Sequence, residues 1–247
     1  MPSIYDKPVR LLMRDMVNEL RVASGTVLSK AQVLSWFKER YPQIKEGTLS
    51  AHLIRLSINA PSRVHYHPKP GEDDLFFQLD GSHFRLYDPT TDPLPLASTP
   101  QPSRPMEPVE PIEPDMATEF AYERDLRNFL VKHLALLESG LCLYEDEGIS
   151  GVEFPAGGRF IDILAVDASN NYVVIELKVS RGYDRVVGQL LRYMAWVAKH
   201  QADATQQVRG IIVAREISED LLLACSSLPN VVLFEYELSV SLRRVTP

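Results

Sequence analysis

The feature that most constrains this chain is a stretch at residues 158–178, GRFIDILAVDASNNYVVIELK. Two runs rich in apolar and β-branched residues, 160–166 and 172–178, flank a short polar segment at 167–171. Asp, Ser and Asn favour turns because their side chains bond nearby backbone groups, so this pattern predicts a β-hairpin. Nearly every position of both strands is apolar, which is typical of strands that are buried on both faces. We therefore expect the hairpin to lie in a sheet that is covered on both sides.

A hairpin centred on Ser169 brings two acidic side chains together. In that register Asp162 lies opposite Glu176, and like charges in this position repel each other, above all in apolar surroundings. A divalent cation held by oxygen ligands would offset the repulsion, and Lys178 adds a positive charge on the same face of the strand. An alternative is that Glu176 and Lys178 merely pair with each other, while a register slip of one residue separates the two acids.

The same residues carry a resemblance to a known superfamily. Asp162 on one strand, with Glu176 and Lys178 in a Glu-x-Lys pattern on the next, resembles the core of the PD-(D/E)xK nucleases. Further blocks in the same order, among them VGQLLRYMAWV and VRGIIVAREI, make residues 117–245 similar to the catalytic domain of NucS-type endonucleases. The resemblance implies a restriction-endonuclease-like α/β fold with a mixed sheet flanked by helices. It also implies that Asp162, Glu176 and the backbone carbonyl of Leu177 hold Mg²⁺, for which Mn²⁺ would substitute.

The resemblance extends to two helices outside the hairpin. Glu123, on a helix predicted at residues 119–138, would bind a second metal ion or order the ligands of the first. Gln189 and Tyr193 form a Gln-x-x-x-Tyr pattern on a helix predicted at residues 184–199. Gln189 would orient DNA or a metal-bound water, and Tyr193 would contact the DNA backbone. In this scheme Lys178 of the hairpin orients the attacking water or stabilises the transition state.

The rest of the C-terminal half completes the predicted α/β sheet. Apolar runs at 208–214 and 230–238 predict two more buried strands. Arg159, just before the first strand of the hairpin, is a candidate for binding a phosphate group. Arg243 and Arg244 near the end of the sequence are further candidates for phosphate contact.

Residues 1–87 predict a small α+β domain of the winged-helix type. Apolar residues recur at helical spacing in three segments, and the second of these begins at Ser29, which can form a Ser-x-x-Gln capping box with Gln32. A final segment, LFFQLDGSHFRLY, contains Asp80-Gly81, which is a strong signal for a two-residue hairpin turn. Three helices followed by a hairpin make a winged helix.

The predicted wing and third helix suggest how DNA would be contacted. Pairing across the Asp80-Gly81 turn places Phe77 opposite Phe84 on the face that packs on the helices. The third helix, after Gly47, is then the candidate for the DNA major groove. The residues expected to contact bases or phosphates are Thr48, Ser50, His52, Arg55, Arg63 and Arg85. The alternative is that this surface is simply solvated and that the domain binds only protein.

A proline-rich segment at residues 88–115, with nine of the chain's 18 prolines, separates this domain from the nuclease domain predicted at residues 116–247. Such a composition predicts an extended linker that lets the two domains engage separate DNA segments. The net charge of −7 arises in the linker and the C-terminal domain, since residues 1–87 carry 12 basic and 9 acidic residues. Two cysteines without metal-ligand spacing, and the absence of an apolar span or signal sequence, predict a soluble cytoplasmic protein.

These patterns predict a metal-dependent DNA endonuclease in which a winged helix selects the site and the C-terminal domain cuts. A DNA reader joined to a nuclease resembles a restriction enzyme, and such fusions resemble modification-dependent ones, some of which read N6-methyladenine. One alternative is a DNA-repair endonuclease acting on mismatched or branched DNA. An alternative of another class is a non-catalytic winged-helix regulator. Double-stranded DNA is the expected partner, and we expect a homodimer during cleavage because cutting both strands calls for two active sites.

Overall fold

Three α-helices, a 3₁₀ helix at Pro61–Tyr66 and three short strands make up an N-terminal unit at residues 5–96. The computed structural model describes residues 5–96, 114–178 and 184–237. The elements of the N-terminal unit are α1 (Val9–Glu19), β1 (Leu28–Ser29), α2 (Lys30–Arg40), α3 (Glu46–Arg55), β2 (Phe76–Gln78) and β3 (His83–Leu86). The strands form a sheet in the order β1-β3-β2 with antiparallel neighbours. This order of elements is the one that a winged helix requires, while the winged-helix assignment itself stays a prediction.

The capping box predicted at the start of α2 is confirmed. The backbone N–H of Gln32 donates to the Ser29 hydroxyl oxygen at 3.2 Å, and the backbone N–H of Ser29 donates to Oε1 of Gln32 at 2.8 Å. Both bonds satisfy donors that the first turn of a helix leaves without partners. Leu28 and Val33, which flank the box, are buried in the core of the unit.

The register of the β2–β3 hairpin differs by one residue from the prediction. Phe77 lies opposite Arg85, and not opposite Phe84. The Asp80 carboxylate accepts hydrogen bonds from the backbone N–H groups two and three positions later, which stabilises a longer turn than the two-residue type. Because a slip of one residue exchanges the two faces of a strand, Phe76 fills the core in place of Phe77.

A C-terminal unit at residues 114–237 holds the larger sheet. Its elements are α4 (Pro114–Lys132), β4 (Cys142–Leu143), β5 (Glu145–Asp146), β6 (Ile149–Ser150), β7 (Val152–Ala156), β8 (Arg159–Val166), β9 (Tyr172–Lys178), α5 (Asp184–His200), β10 (Val208–Ala214), α6 (Glu219–Cys225) and β11 (Val231–Glu235). The six-stranded sheet has the order β11-β10-β9-β8-β4, with β7 also paired to β8. Strands β9, β10 and β11 are parallel, and the other pairs are antiparallel. The predicted mixed sheet flanked by helices is therefore confirmed.

Strands β8 and β9 form the predicted hairpin in the predicted register, with Leu164 opposite Val174. The Asp167 carboxylate closes the turn by accepting from the backbone N–H groups two and four positions later, at 2.9 and 3.0 Å. One face of the hairpin, including Leu164 and Val174, packs with α5, and the other, including Ile163 and Ile175, packs with α4. Both faces are covered, as the nearly continuous apolar runs predict.

The two units share an apolar core where they meet. Ala51 and Ile54 of α3, together with Tyr66, belong to the same buried cluster as Phe154 of β7. Polar bonds accompany this contact. The Thr48 hydroxyl donates to the Asp146 carboxylate at 3.0 Å. The units are therefore packed directly on each other in this structure, which differs from the expectation of two independent modules.

The described start of the predicted linker folds back on the N-terminal unit. The guanidinium of Arg85 forms an ion pair with both oxygens of Asp92, and the backbone N–H of Leu96 donates to the carbonyl of Ile58 at 2.9 Å. Residues 97–113, the greater part of the predicted linker, lie outside the described residues. Within the parts of the chain that the structure describes, no helix has the length and apolar character needed to cross a membrane.

Candidate active site

Asp162 of β8 lies where the backbone ladder of the hairpin ends. The last backbone pair joins Ile163 to Ile175. One position further, a side chain makes the link between the strands, since the Asp162 carboxylate accepts a hydrogen bond from the backbone N–H of Leu177 at 2.9 Å. The predicted register thus brings Asp162 beside the Glu176 segment of β9, at the open end of the hairpin.

Glu176 is the most deeply buried acid of this site, with 0% of its surface exposed. The Gln189 side-chain amide of α5 donates to Oε2 of Glu176 at 2.7 Å. The other carboxylate oxygen, Oε1, is buried and has no hydrogen-bond partner among the described residues. An orphaned buried acceptor is costly, and one common explanation is a bound ion or water. This oxygen is therefore available to bind a cation or a proton.

The pKa values of both carboxyl groups are raised. For Glu176 burial is the main cause and the charge of Asp162 adds to it, while Lys178 opposes the shift. For Asp162 burial again raises the pKa, the N–H of Leu177 opposes it, and the charge of Glu123 raises it further. Two carboxyl groups this close in a buried site favour retention of a proton. A divalent cation would reverse that preference and favour the ionised form of both groups.

Glu123 of α4 is half-buried and lies near enough to raise the pKa of both acids of the hairpin. Four residues later on the same helix, the buried Arg127 donates to the Glu153 carboxylate at 2.8 Å. The charge of Arg127 lowers the pKa of Asp162. Sequence reasoning missed Arg127 and Glu153, although the spacing of Arg127 from Glu123 places both on one side of the helix.

The Gln-x-x-x-Tyr pattern of α5 is split between two roles. Gln189 lies at the site and donates to Glu176, while its role in orienting DNA or a metal-bound water stays a prediction. Tyr193 is only 2% exposed, and the guanidinium of Arg192 lies 4.7 Å from the centre of its ring. The predicted contact between Tyr193 and the DNA backbone therefore does not fit this arrangement. Arg159 is exposed at the start of β8, where a phosphate can reach it.

The donor set suits a hard cation that keeps part of its water shell. Within the described ranges, no group of three or more His, Cys, Asp and Glu side chains is arranged to hold a metal ion. Mg²⁺ is commonly held by one or two carboxylates together with water and substrate phosphate oxygens. Asp162, Glu176 and its orphaned Oε1 fit that type of site. The use of the Leu177 carbonyl as a further ligand stays a prediction.

The side chains predicted to read DNA in the N-terminal unit do not form an exposed surface. The buried ones are Thr48, Ser50, His52, Arg55 and Arg63. Helix α3 has two buried faces, because one packs on the core of its own unit and the other on the C-terminal unit. The expectation that α3 presents these residues to a DNA groove therefore does not hold in this structure. Arg85 is held by Asp92, and Arg243 and Arg244 lie outside the described residues.

The predicted DNA-reading cations of α3 and its following turn are used within the fold. Arg55 donates to the Asp73 carboxylate at 3.0 and 3.1 Å and to the backbone carbonyl of Gly148, in the C-terminal unit, at 3.1 Å. Arg63 forms an ion pair with Asp74. Burial lowers the pKa of His52 to about 4, so its ring is neutral at pH 7. Of these side chains, Arg55 links α3 to the C-terminal unit.

A mixed sheet that carries Asp162 on one strand and Glu176-x-Lys178 on its antiparallel neighbour resembles the core of the PD-(D/E)xK nucleases. Residues 122–225 match the family model of the endonuclease NucS C-terminal domain, and this part of the chain is similar to that family. Residues 8–86 match a second family model, a domain of unknown function called DUF7669.

Several solved structures are similar to the chain. A repair endonuclease from Pyrococcus abyssi is 23% identical with a TM-score of 0.37, over 53% of this chain and 50% of that one. A complex of EndoMS with double-stranded DNA is 21% identical with a TM-score of 0.38, over 64% and 52%. EndoMS in its apo form is 22% identical with a TM-score of 0.38, over 48% and 47%. The chain matches about half the length of these proteins.

Proposed function

We propose that this chain is a metal-dependent DNA endonuclease that hydrolyses phosphodiester bonds at the open end of the β8–β9 hairpin. The observation that carries the proposal is the grouping of Asp162, the buried Glu176 and Lys178 in a domain that matches the NucS C-terminal family. Two acids with raised pKa values in apolar surroundings are typical of functional sites, since they destabilise a fold that does not use them.

Each residue of the site has a distinct task in this proposal. A Mg²⁺ ion, or Mn²⁺ in its place, fits Asp162, Glu176 and the carbonyl of Leu177, and would acidify a water and offset charge on the scissile phosphate. Gln189 holds Glu176 in its ligating orientation. The ammonium group of Lys178 orients the attacking water and stabilises the negative charge that develops on the phosphate oxygens. Two residues lie outside the group of Asp162, Glu176, Lys178 and Gln189. Glu123 orders water around the site, and Arg159 binds a phosphate.

The substrate class that we favour is mismatched or branched DNA in a repair pathway. The matched family is that of NucS, and the chain's own α3 is packed against the C-terminal unit instead of being open to a DNA groove. The methylation-dependent restriction hypothesis relied on α3 to read bases, so burial of that helix removes its main support. Cutting both strands would call for two active sites, and a homodimer formed on the DNA would supply them.

The proposal is tested with purified protein and four labelled duplexes that share one sequence: perfectly paired, mismatched, branched and N6-methylated. Each is incubated with Mg²⁺, with Mn²⁺ or with EDTA. We expect cleavage of the mismatched or branched duplex with either metal and none with EDTA. Cleavage of the methylated duplex alone would contradict the repair proposal and support the methylation-dependent restriction hypothesis. Binding without cleavage of any duplex would instead support the non-catalytic regulator.

A further inference from the structure

Helix α5 carries three cations in one line on its exposed side. Arg185, Arg192 and Lys199 are spaced by seven residues, which is nearly two helical turns, and all three are exposed. No acidic residue occurs anywhere between Arg185 and Lys199. Within the described parts of the chain, none of the three forms an ion pair. The line is therefore a row of positive charges that no described carboxylate neutralises.

Two other arginines of the C-terminal unit do have carboxylate partners. Arg127 is paired with Glu153 at 2.8 Å, and Arg209 is paired with both Glu138 and Asp167. The chain has a net charge of −7 and therefore many carboxylates, and these two arginines form ion pairs with some of them. Exposed cations aligned on one helix face without carboxylate partners can take an anion from outside, and the phosphates of nucleic acid bind such rows of charge.

The row is continuous with the active site. Gln189 lies on the same side of α5, between Arg185 and Arg192, and donates to the Glu176 carboxylate. The surface beside the row is open at Gly188, where an added Cβ atom would meet nothing within 4 Å. From Arg185 to Lys199 the helix rises about 21 Å, which corresponds to roughly six phosphates of one strand along a B-DNA axis.

We propose that Arg185, Arg192 and Lys199 form a phosphate-binding ridge along α5 that holds the backbone of duplex DNA beside the active-site carboxylates. The ridge rests on the proposed function, and it adds the surface on which the DNA lies. Its far end reaches the contact between the two units, where Nδ1 of His200 lies 2.6 Å from the Glu46 carboxylate of α3. DNA on this path follows the C-terminal unit and does not need the buried side chains of α3.

The test measures binding separately from cleavage. A fluorescent 30-base-pair duplex is titrated with the full chain in EDTA at several NaCl concentrations, and log K is plotted against log[NaCl]. Each phosphate contact that is lost lowers the slope by about 0.9. We expect the triple variant Arg185→Gln, Arg192→Gln, Lys199→Gln to lower the slope by about 2 to 3 and to weaken binding at least about tenfold at 0.1 M salt.

The matched control removes three exposed positive charges elsewhere. It is the variant Arg21→Gln, Lys38→Gln, Lys132→Gln, and we expect its slope to lie within about 1 of the wild-type slope. Equal losses in the two variants would overturn the ridge, because binding would then follow only the total charge.

The same experiment distinguishes failure of the ridge from failure of the proposed DNA function. A wild-type protein that binds no duplex at low salt would overturn the proposed DNA function itself. If the triple variant bound DNA normally but changed its sedimentation behaviour, the face would be a contact between copies of the chain, and the ridge would be wrong. A circular dichroism melt of each variant guards against loss of folding.

Discussion

Helices α3 and α5 both carry arginine side chains, but these side chains have different partners in the structure. On α3, Arg55 is 7% exposed and is bound to Asp73 and to a backbone carbonyl of the other unit. On α5, Arg192 is exposed and its guanidinium lies over the ring of Tyr193, with no ion pair among the described residues. The difference teaches that cations on a helix face mark an interface when carboxylates of the fold reach them. On α5, where no described carboxylate reaches them, we propose that the cations bind DNA.

The largest expected effect is on cleavage and concerns the site beside α5. Lys178→Ala should lower the cleavage rate by about a thousandfold or more, since it removes a charge that acts on the transition state, while DNA binding through α5 persists. Single-turnover cleavage and anisotropy binding on the same duplex measure the two effects. Asp220→Asn, an exposed acid of α6, is the control and should leave both unchanged. A Lys178→Ala protein that cleaves normally would refute the site.

The next effect compares the two arginines directly. Asp73→Asn leaves the buried Arg55 without its carboxylate and should lower the free energy of unfolding by about 3 to 5 kcal/mol. Arg192→Gln, on the exposed face of α5, should change it by less than about 0.5 kcal/mol. Urea unfolding followed by circular dichroism gives both values. Similar losses at the two positions would show that α3 and α5 are equally embedded, and the comparison would fail.

A pH effect should follow from the contact between the units. Burial opposes ionisation of Glu153, but the hydrogen bond from His65 and the charge of Arg127 outweigh it and lower its pKa from 4.5 to about 2. Because the pKa is lower in the folded state, the stabilisation is complete above pH 4.5 and is lost as the pH falls towards 2.

The measurement is the free energy of unfolding of wild type and Glu153→Gln between pH 2 and pH 6. The difference between them should be largest at pH 6, up to about 3 kcal/mol, and should shrink as the pH falls. A difference that is constant with pH would mean that the Glu153 charge does not link the units.

The smallest effects come from one glycine on each helix. A Cβ atom at Gly47 of α3 would lie 2.2 Å from Oε1 of Gln201 and 3.0 Å from the Phe154 ring, so Gly47→Ala should cost about 1 to 3 kcal/mol. Gly188 of α5 faces open space, so Gly188→Ala should stabilise the protein by about 0.5 to 1 kcal/mol through helix propensity. Thermal melts report both signs, and a gain at Gly47 would contradict the packing of α3 on the C-terminal unit.

The sequence predictions were most accurate where a structure depends on residues that are close together in the chain. The β8–β9 hairpin was predictable because its turn depends on Asp167 and its neighbours, and its apolar runs specify buried strands. The capping box of α2 is equally local, since Ser29 and Gln32 are three residues apart. The wing register failed by one residue, because bonds from the Asp80 carboxylate lengthened a turn whose two-residue signal is strong.

The candidate site was predictable in its hairpin part and incomplete elsewhere. Asp162 and Glu176 follow from the register, and Gln189 from its motif, because each belongs to a short pattern. Arg127 and Glu153 belong to no pattern, since 26 positions of sequence separate two side chains that meet at 2.8 Å. Such a pair depends on how α4 and β7 are placed by the rest of the fold.

By itself the sequence determined the buried hairpin, the paired acids at its open end and the helices with their caps, because turn chemistry and apolar periodicity act over a few residues. Only the tertiary structure decided which cations remain accessible. Arg55 is bound by the carbonyl of Gly148, which belongs to the C-terminal unit. The residue pattern of α3 does not indicate that this second unit packs on it. Accessibility is a property of everything that packs on a surface, and for this chain it moved the expected DNA contact from α3 to α5.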